Sequence, residues 1–139
     1  MFEFEKIYFE YSEPVFRFIF KMCGESALSE ELTARTFARA YSSIGRYKGA
    51  FSVRAWLSSI ALSEYVRYLR KVPLGTTPLK PGEAIRREIF DLPDLYRGAV
   101  ILRLYAGIPF SEIAAIYGIS QNSVKVVYCR AKKMLSEVM

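Results

Sequence analysis

Side chains that could recognise another molecule are concentrated near the carboxyl end of the chain, between residues 120 and 133. Amide and basic side chains at this density suit the base edges and phosphates of a DNA groove, because they form hydrogen bonds and carry positive charge. At about 100° per residue, they fall on the outer face of one helix or at its start. They are Ser120, Gln121, Asn122, Lys125, Val126, Cys129, Arg130, Lys132 and Lys133. The pattern favours DNA recognition over the alternative, an ordinary helical hairpin with a solvated face.

Catalytic chemistry finds little support in the sequence. There is no histidine, no glycine loop of the kind that holds phosphates, and no set of nucleophile, base and orienting residue. Cys23 and Cys129 lie in different halves of the chain without metal-ligand spacing, so neither a zinc site nor a disulfide framework is indicated. We therefore expect no catalytic residue, no metal site, no cofactor and no enzyme activity.

The net charge of +6 is unevenly distributed. Residues 43–71 hold six basic groups against the single Glu64, and residues 118–139 hold four against the single Glu137. The remaining segments are close to balanced. Two basic blocks suggest two contacts with a polyanion such as nucleic acid, and two solvated helix faces are the alternative.

Membrane and export signals are not evident. No apolar run approaches the roughly 20 residues of a spanning helix, and the start MFEFEKIYFE has acids where a signal peptide has bases. We expect a cytoplasmic protein with no membrane contact of its own.

Hydrophobic residues recur at helical spacing throughout, which predicts an all-α fold of two small helical domains. The prolines and glycines of VPLGTTPLKPG predict a short flexible linker at 72–82, between domains at 1–71 and 83–139. Pro14 suits a first helical turn, and Ser29, Ser52, Ser111 and Ser120 suit helix amino-terminal caps. The predicted helices lie near Phe4–Tyr11, Pro14–Met22, Ser29–Ser43, Ser52–Lys71, Glu83–Phe90, Leu95–Ala106, Ser111–Tyr117 and Gln121–Val138.

The segment FSEIAAIYGISQNSVKVVYCRAKKML has the form of a helix, a tight turn at Gly118 and a second helix capped by Ser120. One apolar stripe of the second helix would pack on the first helix. The stripe consists of Val124, Val127, Tyr128, Ala131 and Leu135, and it faces Ile113, Ala114 and Ile116. This arrangement predicts a helix-turn-helix within about Leu92–Leu135.

A series of short motifs runs through the same segment: Leu92-Pro93, Leu102-Arg103-Leu104, Gly107, Glu112-Ile113-Ala114, Gly118-Ile119-Ser120, Val124-Lys125 and Arg130-Ala131-Lys132. Together they resemble region 4 of the extracytoplasmic-function (ECF) group of bacterial sigma factors. The resemblance implies a factor that directs transcription initiation and reads the promoter minus-thirty-five element. It also implies core RNA polymerase, through its clamp and flap, as a partner, and an anti-sigma factor as another.

The stretch SEELTARTFARAY, Ser29 to Tyr41, is similar to the family's region 2 helix that binds the polymerase clamp. Its Leu32, Phe37, Ala40 and Tyr41 are not expected to face one internal core together, which favours a protein interface over a plain amphipathic core helix. The residues implied to bind core polymerase are Glu30, Glu31, Leu32, Phe37 and Tyr41.

The stretch FSVRAWLSSIALSEYVRYLRK resembles the family's helix that contacts the promoter during melting. Its predicted buried stripe contains Trp56 and Leu57, and the loop 45–51 before it interleaves bases with aromatics, as in sites that hold single strands. By resemblance, the loop captures an unstacked minus-ten base. The implied minus-ten residues are Arg46, Tyr47, Lys48, Phe51, Ser63, Arg67, Arg70 and Lys71.

Departures from the family's pattern leave two other functions open. Ser63 and Arg67 stand where the family has Asn and Asp, and Ala34-Arg35 replaces its Gln-Glu pair. A sigma-like protein that binds polymerase without melting the promoter would fit these changes. A polymerase-independent regulator that uses residues 1–71 to dimerise is the second alternative, and it would bind palindromic sites.

Overall fold

The computed structural model describes residues 4–71 and 88–136, and within them the chain is helical, with no strand. The helices are α1 (Phe4–Cys23), α2 (Ser26–Ser43), a 3-10 turn (Ile44–Arg46), α3 (Val53–Lys71), α4 (Asp94–Leu104), α5 (Phe110–Tyr117) and α6 (Gln121–Ser136). Residues 88–91 are also helical. The all-α prediction is confirmed. The predicted linker 72–82 and most of the helix predicted at Glu83–Phe90 lie outside the described residues.

The predicted break between two amino-terminal helices is wrong, because α1 continues through Pro14. A proline inside a helix costs about 3 kcal/mol. Each large apolar side chain that the continuous helix buries contributes roughly 1.5–3 kcal/mol, so several of them outweigh the proline. The buried stripe is Ile7, Val15, Phe18, Ile19 and Met22.

Two of the four predicted serine caps are confirmed. Ser52 and Ser120 each accept a hydrogen bond from the backbone N–H three residues ahead, over 3.1 Å. Ser29 is instead buried inside α2 and donates to the Glu25 carbonyl over 2.6 Å. The cap predicted at Ser111 is also wrong, because α5 begins one residue earlier, directly after a proline.

The helices α1, α2 and α3 pack on one another, and α4, α5 and α6 form a second group. In the second group, Gly98 lets Tyr117 approach α4 closely, since a Cβ at this glycine would lie 1.7 Å from the tyrosine hydroxyl oxygen. Burial raises the pKa of the Tyr117 hydroxyl. Arg97 is buried beside it and donates to the carbonyls of Phe90 and Leu92, each over 3.0 Å. This arginine fixes the segment before α4.

The two groups of helices are in contact, because α3 packs against α4 and α5. The backbone N–H of Ser52 donates to Glu112 Oε1 over 2.9 Å, and the Arg54 guanidinium donates to the Ala106 carbonyl over 2.5 Å. This packing brings together parts of the chain that the sequence pattern assigns to separate domains.

Candidate nucleic-acid interface

Helices α5 and α6 meet at a tight turn. Gly118 has φ 67° and ψ 34°, a left-handed conformation that disfavours residues with a Cβ. The N–H of Ile119 donates to the Ala114 carbonyl over 3.1 Å, which closes the end of α5. On α6, Val124, Val127 and Ala131 are buried as predicted, whereas Tyr128 and Leu135 are half-buried. The turn and the buried stripe form a helix-turn-helix framework.

The outer face of α6 is open to solvent, and all nine residues predicted there, from Ser120 to Lys133, are exposed. Helix α6 contains no acidic residue that would repel a phosphate. Val126 is 48% exposed and offers an apolar contact of the kind that suits a thymine methyl group. Lys132 leans over the Tyr128 ring, with Nζ 5.3 Å from the ring centroid. The face combines donors, positive charge and one small apolar group, as a groove-reading surface requires.

Aromatic contacts orient α6 on its neighbours, and the sequence pattern did not predict them. Phe110 of α5 packs edge-on against Tyr128, with ring centroids 5.2 Å apart. Arg103 of α4 lies over the Phe110 ring, 4.6 Å from its centroid. Three helices thus hold the exposed face in a fixed orientation.

A second basic face lies on α3, where Ser63, Arg67, Arg70 and Lys71 are exposed as predicted. Glu64 lies beneath it and is only 7% exposed. Its carboxylate is 3.6 Å from Arg39 Nε and 4.0 Å from an Arg67 guanidinium nitrogen. The spacing of Glu64 and Arg67, three residues apart on a helix, could have revealed this pair. No spacing in the sequence could have revealed the pairing of Glu64 with Arg39, because Arg39 lies on a different helix, α2.

The basic face of α3 lines one side of a cleft of about 450 Å³. The opposite side belongs to α4 and α5 and includes Asp94, Arg97 and Tyr117. Ser63, Arg67 and Arg70, three of the residues predicted to meet the minus-ten element, therefore face the second group of helices across this cleft.

The loop before α3 is more ordered than its composition indicates. Tyr47 stacks on Trp56, and its hydroxyl donates to the Phe51 carbonyl. Burial raises the pKa of Tyr47, and the nearby Glu112 carboxylate raises it further. Arg46 and Lys48 are exposed, and the loop and Trp56 surround a cavity of about 250 Å³. The structure places the predicted basic and aromatic residues together, but the tyrosine ring already has a stacking partner.

Helix α2 presents a smaller surface than predicted. Glu30, Glu31 and Tyr41 are exposed, but Leu32 and Phe37 are 2% and 4% exposed and share the core with Ala40. As expected, the four apolar residues do not all face one core, but Tyr41 alone lies outside it, and the other three are not available to a partner. At 100° per residue, the three buried residues span about 140°, within a broad apolar stripe, and Tyr41 falls beyond its edge.

Arg35, which is part of the Ala34-Arg35 pair that differs from the family's pattern, forms an ion pair on α2. Its guanidinium lies 2.8 Å from Glu31 Oε1, one helical turn away, and both side chains are about half exposed. The arginine thus neutralises part of the acidic charge on the exposed side of α2.

Among the described residues, no helix is long and apolar enough to cross a membrane. No cluster of His, Cys, Asp or Glu in the same ranges could hold a metal ion.

Two family matches cover most of the chain. Residues 7–72 match Sigma-70 region 2, and residues 82–135 match Sigma-70, region 4. The chain therefore belongs to the sigma-70 family of RNA polymerase sigma factors. Within this family it is an ECF sigma factor, an alternative sigma factor for transcription initiation whose partners are core RNA polymerase and promoter DNA.

Curated relatives support the group. The ECF RNA polymerase sigma factor SigM of Bacillus subtilis is 28% identical over 150 residues, covering 94% of this chain and 91% of SigM. The RNA polymerase sigma factor CarQ of Myxococcus xanthus is 28% identical over 155 residues, covering 98% of this chain and 88% of CarQ.

Two solved structures share the fold. CnrH in complex with the cytosolic domain of CnrY aligns over 97% of this chain and 86% of CnrH, with a TM-score of 0.69 and 18% identity. The sigma factor RpoE in complex with the anti-sigma factor NepR, from Bartonella quintana, aligns over 97% of this chain and 95% of RpoE. Its TM-score is 0.62 and its identity 20%.

Proposed function

We propose that residues 1–71 bind core polymerase and melt the minus-ten element, while residues 83–139 read the minus-thirty-five element and dock on the polymerase flap. Residues 72–82 link the two domains. Core polymerase supplies the catalysis, so the chain has no enzyme activity of its own. It acts in the cytoplasm, together with the polymerase.

The observation that carries this proposal is the outer face of α6. Its exposed donors and basic groups lie on a helix that follows a tight turn and contains no acidic residue, which suits insertion into the major groove. We assign Asn122, Lys125, Val126, Cys129 and Arg130 to base edges. Ser120, Gln121, Lys132 and Lys133 are assigned to phosphates and the groove edge.

The minus-ten strand is assigned to α3 and the loop before it. Ser63, Arg67, Arg70 and Lys71 hold its phosphates, and Arg46 and Lys48 steer it towards the loop. We assign the captured base to the cavity beside Phe51 and Trp56, because aromatic walls can stack any base. The base either displaces Tyr47 from Trp56 or extends the existing stack.

The polymerase clamp is assigned to the exposed side of α2. Glu30, Glu31 and Tyr41 make the contacts, and the buried Leu32 and Phe37 hold α2 in place from within the core. The similar sigma factor RpoE is bound to an anti-sigma factor, NepR, in its solved structure. By that likeness we propose an anti-sigma partner for this chain, one that covers these same faces.

Reconstitution with bacterial core polymerase tests the proposal. We expect specific transcripts from a promoter library only when both the chain and core polymerase are present. Transcripts that are lost when the minus-thirty-five element is scrambled would support the assignment of α6. Binding to core without any transcript would contradict the proposed melting.

One alternative has structural support, namely a factor that binds polymerase without opening DNA. Arg67, in place of the family's acidic residue, lies near the buried Glu64, and Arg35 neutralises Glu31 on α2. If this alternative holds, the chain forms a stable complex with core polymerase, and the minus-ten duplex stays closed in it.

A further inference from the structure

Three arginines form a row along one edge of α2 and the 3-10 turn that follows it. Arg35, Arg39 and Arg46, here called the arginine row, line a groove of about 510 Å³ between α2 and α3. Among the described residues that line this α2–α3 groove, Glu64 is the one acid. The described lining comes from α2, the turn and α3, so the groove does not depend on how α4 and α5 pack.

The arginine row has the length of a short stretch of DNA strand. The three arginines stand at positions i, i+4 and i+11, and the exposed Ser42 occupies i+7. A rise of 1.5 Å per residue gives the row a length of roughly 16 Å, which matches about five nucleotides at 3.4 Å each. Its last member, Arg46, belongs to the loop assigned to base capture. A strand held by this loop can therefore continue along α2.

Arg39, the central member of the row, also borders the basic face of α3. It lines both the α2–α3 groove and the neighbouring cleft that contains Arg67 and Arg70. The Glu64 carboxylate lies 3.6 Å from Arg39 and 4.0 Å from Arg67, so one acid is shared by two cations. The two arginine side chains are still 40% and 51% exposed, and a phosphate can reach them. The region thus keeps an excess of positive charge, which attracts a polyanion.

The arginine row and the assigned clamp contact lie on opposite edges of α2. At 100° per residue, Arg39 is about 160° from Tyr41 and about 180° from Glu30. Tyr41 borders α1, where its ring meets Phe4 with centroids 5.2 Å apart, whereas Arg39 borders α3. One helix can therefore contact polymerase along one edge and DNA along the other.

We propose that the arginine row binds phosphates of the melted promoter strand, so that α2 and α3 form the two sides of one DNA-binding groove. This inference rests on the proposed function, since it extends the minus-ten contact from α3 to Arg35 and Arg39. Guanidinium groups suit the task, because their planar fork donates two hydrogen bonds to one phosphate. Each phosphate contact on a single strand contributes about 0.7 to the slope of log affinity against log salt.

Salt-dependent binding of a short fluorescein-labelled oligothymidylate to the full chain, without polymerase, tests the row by fluorescence anisotropy. Arg39→Gln is made in the Glu64→Gln background and compared with Glu64→Gln alone, so that no unpaired carboxylate stays buried. Arg35→Gln is compared with wild type, and its exposed position leaves the core intact. Arg17→Gln on α1 is the matched control, because Arg17 and Arg35 each pair with an exposed acid one helical turn away.

Arg39→Gln and Arg35→Gln should each lower the salt slope by about 0.7, which is about fivefold in affinity at about 0.1 M salt when the affinities converge at about 1 M. Arg17→Gln should leave the slope unchanged, since α1 does not line the groove. An unchanged slope in either row variant would overturn the arginine row as a phosphate contact.

Arg70→Gln, on the assigned face of α3, separates this inference from the proposed function. A lower slope in Arg70→Gln but not in the row variants would reject the row and leave the assignment of α3 in place. A lower slope in the row variants but not in Arg70→Gln would support the row and reject that assignment.

Discussion

The ring of Tyr47 lies flat against the indole of Trp56, with ring centroids 4.6 Å apart and 9° between the planes. The tyrosine belongs to the loop before α3, and the tryptophan belongs to the first turns of α3. The stack therefore ties the loop assigned to base capture to the helix assigned to the melted strand.

Trp56 is the one tryptophan of the sequence, so its fluorescence reports directly on this stack. We expect a single-stranded minus-ten oligonucleotide to change Trp56 emission, because a captured base meets the indole or displaces Tyr47. Stacking of this kind is worth about 1–3 kcal/mol per base, so Tyr47→Ala should alter the affinity measurably. Emission that does not respond to bound strand would remove base capture from this loop.

Replacing Lys125 or Arg130 by alanine tests the face of α6. A residue that contacts a base edge should lose about 1–3 kcal/mol of discrimination at one base pair. A residue that contacts phosphate should instead weaken all sequences equally and lower the salt dependence of binding. Fluorescence anisotropy with a minus-thirty-five duplex at several salt concentrations measures both, and Lys21→Ala on α1 is the control. Unchanged binding in both variants would refute the recognition face.

Glu64→Gln tests the bridge between α2 and α3. The change removes a buried negative charge from two arginines, and we expect the free energy of unfolding to fall by about 1–2 kcal/mol. This is less than a fully buried pair would lose, because Arg39 and Arg67 are partly exposed and lie 3.6 and 4.0 Å away. Urea denaturation measures the effect. Glu31→Gln, at an exposed pair, should change it by no more than about 0.5 kcal/mol. Equal effects of the two variants would contradict a structural role for Glu64.

Gly98→Ala tests the packing of α4 on α5. The new methyl group would overlap Tyr117, and forced repacking costs typically about 1–3 kcal/mol. Gly45→Ala is the control, because a Cβ there meets nothing within 4 Å. We expect a lower denaturation midpoint for the first variant only, with partial recovery when Tyr117→Ala is added. A Gly98→Ala protein as stable as wild type would show that the close approach has no energetic importance.

Much of the fold follows from local sequence signals. Helical spacing predicted α3 to within one residue and the start of α6 at Gln121, and the caps at Ser52 and Ser120 follow from chemistry within one turn. Local signals gave wrong predictions at positions where burial in the tertiary core determines the structure. Pro14 is tolerated because α1 buries its apolar stripe against α2 and α3, and Ser29 is internal for the same reason.

For the candidate sites too, local features could be predicted from the sequence and distant contacts could not. Exposure on α6 was predictable, since the buried stripe of an amphipathic helix leaves its other face outside. The burial of Leu32 and Phe37 could have been predicted by allowing a wider apolar stripe on α2. The contact between Ser52 and Glu112 joins residues 60 positions apart and has no pattern in the sequence, so only the tertiary structure reveals it.

Permanganate reactivity of promoter thymines, measured on a complex of this chain with core polymerase, tests directly whether the chain opens the promoter. Unpaired thymines in the minus-ten element should become reactive only when chain and core are both present, while the minus-thirty-five element is protected on the same DNA. Arg130→Ala should reduce both signals together, because the two contacts share one tether. Protection of the minus-thirty-five element with unreactive minus-ten thymines would contradict the account, since it would show a factor that positions the polymerase without opening the promoter.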